Sequence, residues 1–479
     1  MFEVEVSSMS PERFRSVLAP QRYEQFERGM ERGRELLTGH VVWNINSTAR
    51  GGGVAELLES LVPYARGAGV DVRWLVIEGP HEFFDITKRI HNWLHGEVGD
   101  GKPLDREAGK IYEQALSANS AEVCKRVRMG DVAIVHDPQP AGLIGALRDA
   151  GVAVIWRCHV GLDYPNERAR QAWGFLHGYV ADADAYVFSR ASFAWENLDR
   201  ERIVVIPPSI DAFSPKNEEL DPQAVLAILG ACGVLARPPA PEGGTFERQD
   251  GTPGRVDRFA ELFEDGPLEP GMPVVLQISR WDSLKDPLGV IGGFADHVPA
   301  STNAHLVCAG PAVTSVTDDP EGGVVLSEAK ALRESLGADA RSRVHLAALP
   351  MEDPEENAII VNALQRHATV IAQKSLAEGF GLTVAEAMWK ARPVVASRIG
   401  GIQSQIVDGE SGVLLDDPRD LEAFGAAVTE LLVDRPRATK IGAHARERVR
   451  DQFTSPRSLL DYLAVIETVL ERRGIHVAP

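Results

Sequence analysis

Cysteine is scarce in this chain of 479 residues: there are four, Cys124, Cys158, Cys232 and Cys308. They are scattered, show no CxxC spacing and are too few for a disulfide framework, so reduced thiols and a cytoplasmic setting are expected. Long apolar runs are also missing. The longest, Val225 to Ala236, suits a buried helix and falls well short of the roughly 20 residues a membrane span needs. The first forty residues are charged and helix-like, without an apolar core after a basic start, so neither a signal peptide nor a membrane anchor is expected. Basic charge is in deficit, with 50 Lys and Arg against 69 Asp and Glu and a net charge of −19. Such a field repels nucleic acid and anionic lipid, so any anionic ligand must be held by a local positive site. The sequence has no GxGxxG, no Walker GK[ST] ending and no GxSxG elbow, which removes support for dehydrogenases, P-loop kinases and α/β-hydrolases. No solenoid repeat or low-complexity tract is present.

The composition, 44% hydrophobic and 25% charged, is that of a folded globular protein, and the length calls for more than one domain. Short β-branched runs alternate with longer amphipathic stretches, the pattern of parallel strands joined by crossover helices in an α/β protein. In the first half the expected strands are Val41 to Asn46, Val70 to Ile77, Val132 to His136, Val152 to Cys158, Ala185 to Ser189 and Ile203 to Ile206. The run Pro207 to Asp211 breaks the series, Asp221 to Leu235 reads as a helix, and Pro238 to Gly254 reads as a surface loop. A second series follows: Val274 to Ser279, His305 to Ala309, Val344 to Ala347, Thr369 to Ala372, Val394 to Ala396 and Gly412 to Leu415. Two Rossmann-like, doubly wound domains facing a cleft are therefore expected, at 1–212 and 213–455, with a helix in 456–479 packing back on the first. Ligands of such sheets lie beyond the carboxyl ends of the strands.

Several segments at those ends carry chemistry. Asn44 to Arg50, then Gly51, Gly52 and Gly53, form a strand, a glycine turn and a helix start, readable as a phosphate cradle or as a plain turn. His136 and Asp137 end one strand, and His159 and Asp163 follow the next, where either ligand contact or structural hydrogen bonding is open. No zinc spacing joins His136, Cys158 and His159, and no metal site is expected. Asp182 and Asp184 form Asp-x-Asp but stand at the amino end of a strand, the wrong edge for a ligand, and read as solvated carboxylates. Arg280 and Lys285 leave a strand end five residues apart; they can converge on a diphosphate or pair with Asp282 and Asp286 on the surface. Glu378 and Glu386 lie eight apart across a glycine loop that opens a helix. Glu386 is expected in the first helical turn, where Thr383 and Glu386 also spell a capping box.

Together these residues carry a family resemblance. Glu378 to Glu386, with Gly379, Phe380, Gly381 and Leu382 between, resembles the two-glutamate signature of retaining glycosyltransferases of family 4, and Arg280 with Lys285 resembles their donor-phosphate pair. Within that family the first half is similar to the trehalose glycosyltransferring synthases, in Asn46 to Thr48, Gly51 to Glu56, Phe83 to Asn92 and the His136 and Arg157 clusters. The resemblance runs from about residue 38 to about residue 455; the irregular stretch Pro215 to Gly271 departs from it.

The resemblance implies the two-domain GT-B fold and retaining transfer of glucose from ADP-, UDP- or GDP-glucose to free glucose, giving α,α-trehalose. It implies Arg280 and Lys285 on the leaving diphosphate, Glu378 with Phe380, Gly381 and Leu382 on the donor glucose, and Glu386 on the ribose. His159 would approach the transferred sugar, Asp137 and Asp163 the acceptor, and Gly51, Gly52 and Gly53 the donor side. It requires no cofactor, with Mg²⁺ at most accompanying the nucleotide, and makes a homodimer unsurprising. Retaining trehalose phosphorylase, acting with glucose 1-phosphate, another acceptor within the family, and a noncatalytic nucleotide-sugar sensor are the competing readings.

Overall fold

The structure is a computed structural model, and it describes residues 1–50, 52–236, 243–249, 251–313 and 320–474. The chain divides into two compact units, Met1–Ser209 with Phe453–Pro479, and Ile210–Gln452.

The first unit is built on one seven-stranded sheet: β1 (Phe2–Glu3), β2 (Val42–Asn46), β3 (Val72–Val76), β4 (Val132–His136), β5 (Ala153–Cys158), β6 (Ala185–Phe188) and β7 (Ile203–Val205). Its order is β1-β3-β2-β4-β5-β6-β7, all parallel except the edge strand β1. Strands β2, β4, β5 and β6 are buried along their whole length, which is why each reads as a largely apolar run broken only by the site residues Asn44, Asn46, His136 and Arg157. One face packs Trp43, Ile45, Val135, Val154, Trp156 and Phe188 against helices that include His81–Leu94, Arg106–Val123 and Glu167–Val180. Asp105 and Asn166 cap two of these helices, each accepting a backbone N–H from the first turn. Helix Ser455–Arg472 packs against both Pro20–Leu36 and Gly53–Gly67. It buries Leu459, Leu463, Ile466 and Leu470, as its helical spacing requires. Gly29 lets it come close, since a β-carbon there would lie 2.2 Å from Leu460.

The second unit carries the small hairpin β8 (Thr245–Glu247) and β9 (Pro253–Arg255), then a second seven-stranded sheet. Its strands are β10 (Glu261–Phe263), β11 (Val274–Ile278), β12 (His305–Pro311), β13 (Val344–Leu349), β14 (Val370–Gln373), β15 (Val394–Ser397) and β16 (Val413–Leu415). The order is β10-β13-β12-β11-β14-β15-β16, with only β10 antiparallel. Both sheets are doubly wound, as expected for the GT-B fold.

The loop expected over Pro238 to Gly254 is corrected in its described part. Residues 237–242 and 250 lie outside the described residues, but β8 and β9 form an ordered hairpin. Three-residue strands rich in Gly, Pro and charge carry no periodic signal. This hairpin is held instead by a distant helix, Pro354–His367. Arg248 pairs with Asp353 at 2.5 Å, and just beyond the hairpin the buried Glu356 accepts the backbone N–H of Asp257 and Arg258 at 2.8 and 2.9 Å. Strands β1 and β10 went unexpected for the same reason: each is too short to show a pattern.

Candidate active site

In a doubly wound sheet the strand order reverses at one point, and the loops leaving the two strands there diverge to make a crevice. In the second unit that point lies between β11 and β14. The loop after β11 carries Arg280 and Lys285, and the loop after β14 carries Glu378.

The two loops meet through an ion pair: Lys285 Nζ lies 2.6 Å from Glu378 Oε2, with both side chains largely buried. This replaces the surface pairing of Lys285 with Asp282 and Asp286 that its sequence neighbours allow. Arg280 does pair with Asp282, at 3.1 Å, and is 66% exposed, so its guanidinium is accessible from solvent. Trp281 anchors the turn by donating from Nε1 to Pro311 O at 2.9 Å. Asp286 caps helix Pro287–His297 and accepts from the fully buried Lys374, which also donates to Pro418 O at 2.7 Å. Leu376 N–H donates to Leu284 O at 2.7 Å. Lysine 285 is thus fixed at both ends of its short 3-10 turn, because Gln277 also donates to the Lys285 carbonyl at 2.7 Å.

The Glu378 loop then enters helix Leu382–Trp389, with Gly381 as N-cap at φ 80°, a conformation that favours glycine. The capping box that Thr383 and Glu386 spell, the rival reading for Glu386, does not form, and Glu386 is not in the first helical turn as expected. The helix starts at Leu382, so Thr383 is its second residue, no side chain caps it, and Glu386 stands beyond the first turn. The Glu386 carboxylate is therefore not consumed by a backbone amide; it is 5% exposed, and among the described residues no protein group hydrogen-bonds to it. Gln405 Nε2 holds the carbonyls of Phe380 at 2.6 Å and Gly381 at 3.2 Å. Gly401 N–H donates to Gly379 O at 2.7 Å, and a β-carbon on Gly400 would lie 1.8 Å from Glu378 O. The loop is held through its carbonyls, and the Gly381 and Leu382 amides sit at the helix N-terminus, where N–H groups have no intrahelical acceptor.

In the first unit the reversal lies between β2 and β4, and hydrogen bonds cross it. His136 Nε2 lies 3.1 Å from Asn44 Oδ1, and His136 Nδ1 lies 3.2 Å from His159 Nε2. With the Asn44 oxygen accepting, His136 is protonated on Nε2, His159 donates from Nε2, and Nδ1 of His159 is left as an acceptor. Burial, aided by the Arg157 charge, pulls the His136 imidazole down to about 3 and holds His159 well below the usual range. Both rings are neutral at pH 7. Arg157 is fully buried, donates to Ser189 at 3.2 Å, and leaves Nε and Nη1 without a protein partner. Asp137, at φ 64°, accepts the His159 backbone N–H at 2.7 Å; burial raises its carboxyl to about 6.

The remaining expected residues fall less centrally. Asp163 is committed to Arg190 at 3.0 Å and to Ser192 at 2.7 Å. Gly52 (φ 84°) precedes helix Gly53–Gly67 with open space at its α-carbon, while Gly51 lies outside the described residues. Asp184 pairs with Arg148 and accepts the Val154 N–H, a structural role. Sequence reasoning missed Lys374, Gln405, Gly400 and Gly401, and placed Asn44 in the glycine-turn constellation without foreseeing its bond to His136. Lys374 carried a usable signal, since a lysine directly after a strand buried on both faces must find a buried partner. Among the described residues no cluster of His, Cys, Asp or Glu could hold a metal ion, and no helix is long and apolar enough to cross a membrane.

Two doubly wound sheets, with Lys285 and Glu378 brought together at the reversal of the second, are the arrangement that the resemblance to GT-B glycosyltransferases implies. Comparison with known proteins agrees. Residues 44–195 match the family described as trehalose synthase, N-terminal domain, and residues 259–448 match glycosyl transferases group 1. A trehalose synthase from Pyrococcus horikoshii is 34% identical over 98% of this chain and 99% of its own length. The chain belongs to the trehalose synthase family of glycosyltransferases and is a hexosyltransferase. A trehalose phosphorylase from Pleurotus pulmonarius is 24% identical over 91% of this chain and 57% of its own. Among solved structures, an α,α-trehalose 6-phosphate synthase from Burkholderia multivorans shares the fold, with a TM-score of 0.64, 15% identity, and coverage of 91% of this chain and 99% of that one.

Proposed function

We propose that this chain transfers glucose, with retention, from a nucleoside-diphosphate glucose to the anomeric hydroxyl of free glucose, forming α,α-trehalose reversibly in the cytoplasm. The observation that carries the reading is the convergence of Lys285 and Glu378 at the reversal of a sheet in a chain similar to a trehalose synthase over nearly its whole length. On donor binding the diphosphate takes over Lys285, with the exposed Arg280 beside it, and Glu378 turns to hydroxyls of the donor glucose. Glu386 accepts from the ribose hydroxyls, and the amides of Phe380, Gly381 and Leu382 receive the sugar and phosphate oxygens.

As the glycosidic bond breaks, negative charge grows on the leaving phosphate, and Lys285 and Arg280 stabilise it more strongly in the transition state than in the ground state. The departing phosphate oxygen takes the acceptor's proton on the same face, so no protein nucleophile is needed. His159, neutral with Nδ1 as an acceptor, lies toward the transferred sugar; Asp137 and Asp163 belong to the acceptor side, and Gly51 to Gly53 to the donor side. No metal takes part beyond Mg²⁺ on the free nucleotide, so activity persists in chelator. Association as a homodimer belongs to the same proposal and is read by sedimentation.

The test is a matrix of ADP-, UDP- and GDP-glucose against free sugars, with the product linkage determined. An α,α-1,1 disaccharide from glucose supports the reading. The second reading, trehalose phosphorolysis, is favoured by the similarity to a phosphorylase. It takes over if trehalose with inorganic phosphate yields glucose 1-phosphate while trehalose with nucleoside diphosphate yields nothing. Donor binding without transfer to any sugar would leave only a sensor.

A further inference from the structure

Lys390 is the last-but-unused charge on the segment that carries Glu386. It directly follows helix Leu382–Trp389, one turn beyond Glu386, and is 2% exposed. A buried ammonium is ordinarily paired with a carboxylate. Lys390 makes no ion pair among the described residues; its three acceptors are neutral. They are Gln365 Oε1 at 2.7 Å, Asn217 Oδ1 at 3.1 Å and the Glu386 carbonyl oxygen at 3.1 Å.

Asn217 is itself a knot. Its Nδ2 donates to Asp211 O at 2.9 Å and Ser214 Oγ at 3.1 Å, and its carbonyl accepts from Trp389 Nε1 at 2.9 Å and Arg366 at 3.3 Å. Asn362 Nδ2 binds the neighbouring carbonyls of Pro215 and Glu218 at 2.9 and 3.0 Å. The start of the stretch that departs from the family pattern is therefore a strap across helices Pro354–His367 and Leu382–Trp389.

The consequence lies in what Lys390 leaves undone. Were its ammonium bonded to the Glu386 carboxylate, those oxygens would be occupied. Satisfied by neutral groups one helical turn away, the cation acts on Glu386 through its field while the carboxylate keeps its acceptor sites.

We propose that Lys390, seated by Asn217 and Gln365, is a positioning residue for donor binding, holding the helix of Glu386 and supplying a positive field beside the carboxylate that receives the nucleotide ribose. This rests on the assignment of Glu386 to the ribose made above. Burial pulls Lys390 down to about 7, and Glu386 pulls it the other way. The other charges facing it are Arg366, Lys216 and Glu219, with Arg446 pairing Glu219 and lying over the Trp389 ring. Below neutrality Lys390 is charged and its field favours the anionic donor; above neutrality that field is lost and the donor binds less well.

The experiment measures binding of ADP-, UDP- and GDP-glucose by calorimetry, and donor KM and kcat, between about pH 6 and pH 8.5; these donors carry no phosphate that titrates there. For the unaltered protein, affinity for the best donor falls roughly fivefold across the range. Lys390→Met raises donor KM roughly tenfold with kcat within about threefold, and the pH dependence disappears. Gln365→Glu places a carboxylate against Lys390 at a side chain whose Nε2 has no protein partner, so the fold is kept; it holds Lys390 charged and flattens the profile at the tight-binding level.

A flat profile in the unaltered protein, or one unchanged by Gln365→Glu, overturns the proposal without needing Lys390→Met to fold. Glu386→Gln separates the two claims. If it leaves donor KM unchanged, the ribose assignment itself has failed. If it raises donor KM while Lys390→Met does not, only the role of Lys390 has.

Discussion

The two sheets reverse direction in the same way, yet different groups bond across their reversal points: an ion pair in one, neutral rings and an amide in the other. In the second unit the crevice holds ionised groups: Lys285 with Glu378, and Lys374 with Asp286 behind them. In the first unit the corresponding point is crossed by an asparagine and two neutral imidazoles, kept uncharged by burial and by the charge of the buried Arg157, with the Asp137 carboxyl beside them. Topology provides a crevice in each case; the side chains at the strand ends decide what it can hold. An anionic diphosphate needs a local cation in a chain of net charge −19, whereas an uncharged sugar is better met by neutral donors and acceptors.

The comparison can be broken most forcefully at Lys374. Replacing it with Met leaves the Asp286 carboxylate without its buried partner and should cost about 3–5 kcal/mol of stability, measured by denaturant unfolding. A loss below about 1 kcal/mol would mean that the pair does not hold the Lys285 turn. Next comes Lys285→Ala, for which transfer should fall by about 100-fold or more, mostly in kcat; a rate within threefold of the parent removes the leaving-phosphate role. On the neutral side, His136→Ala takes away the hydrogen bond that orients His159. It should lower kcat/KM for the acceptor by about tenfold with donor KM unchanged. A matching rise in donor KM would blur the division between the two edges.

The smallest effect is on acid stability. His136 and His159 bind protons more readily unfolded than folded, so stability falls as pH drops below about 6.5. Asp137, raised to about 6, binds its proton more readily folded and opposes this between about pH 6 and 4. The net is about one proton, or about 1.4 kcal/mol per pH unit near pH 5. His136→Asn should reduce that slope in melting experiments, and an unchanged slope would place the ring in water.

How much of this was legible depended on the length of the signal. Strands such as β4 and β5 are apolar nearly throughout because both faces are buried, so their positions could be read within a residue or two. Strands β1, β8, β9 and β10 were not readable, since two or three residues carry no periodicity and their pairing is set by contacts far away. At the site, Glu378 and Lys285 stood out as charged groups following apolar strands. Glu386 was placed one turn too early because the Thr383–Glu386 pattern is local, whereas the helix start is set at Gly381, with Gln405 gripping the loop from outside.

The amino-acid order alone determined the alternation of strand and helix, the two-part organisation and the residue types delivered to each carboxyl edge, because burial on two faces imposes a pattern on neighbouring residues. Only the tertiary structure decided which of those residues meet. Lys285 finds Glu378 across 93 positions, His136 finds Asn44 across 92, and Lys390 finds Asn217 across 173. Such pairings follow from strand order and register, which bring distant loops to one edge and then make a buried polar group bond to whatever partner is there.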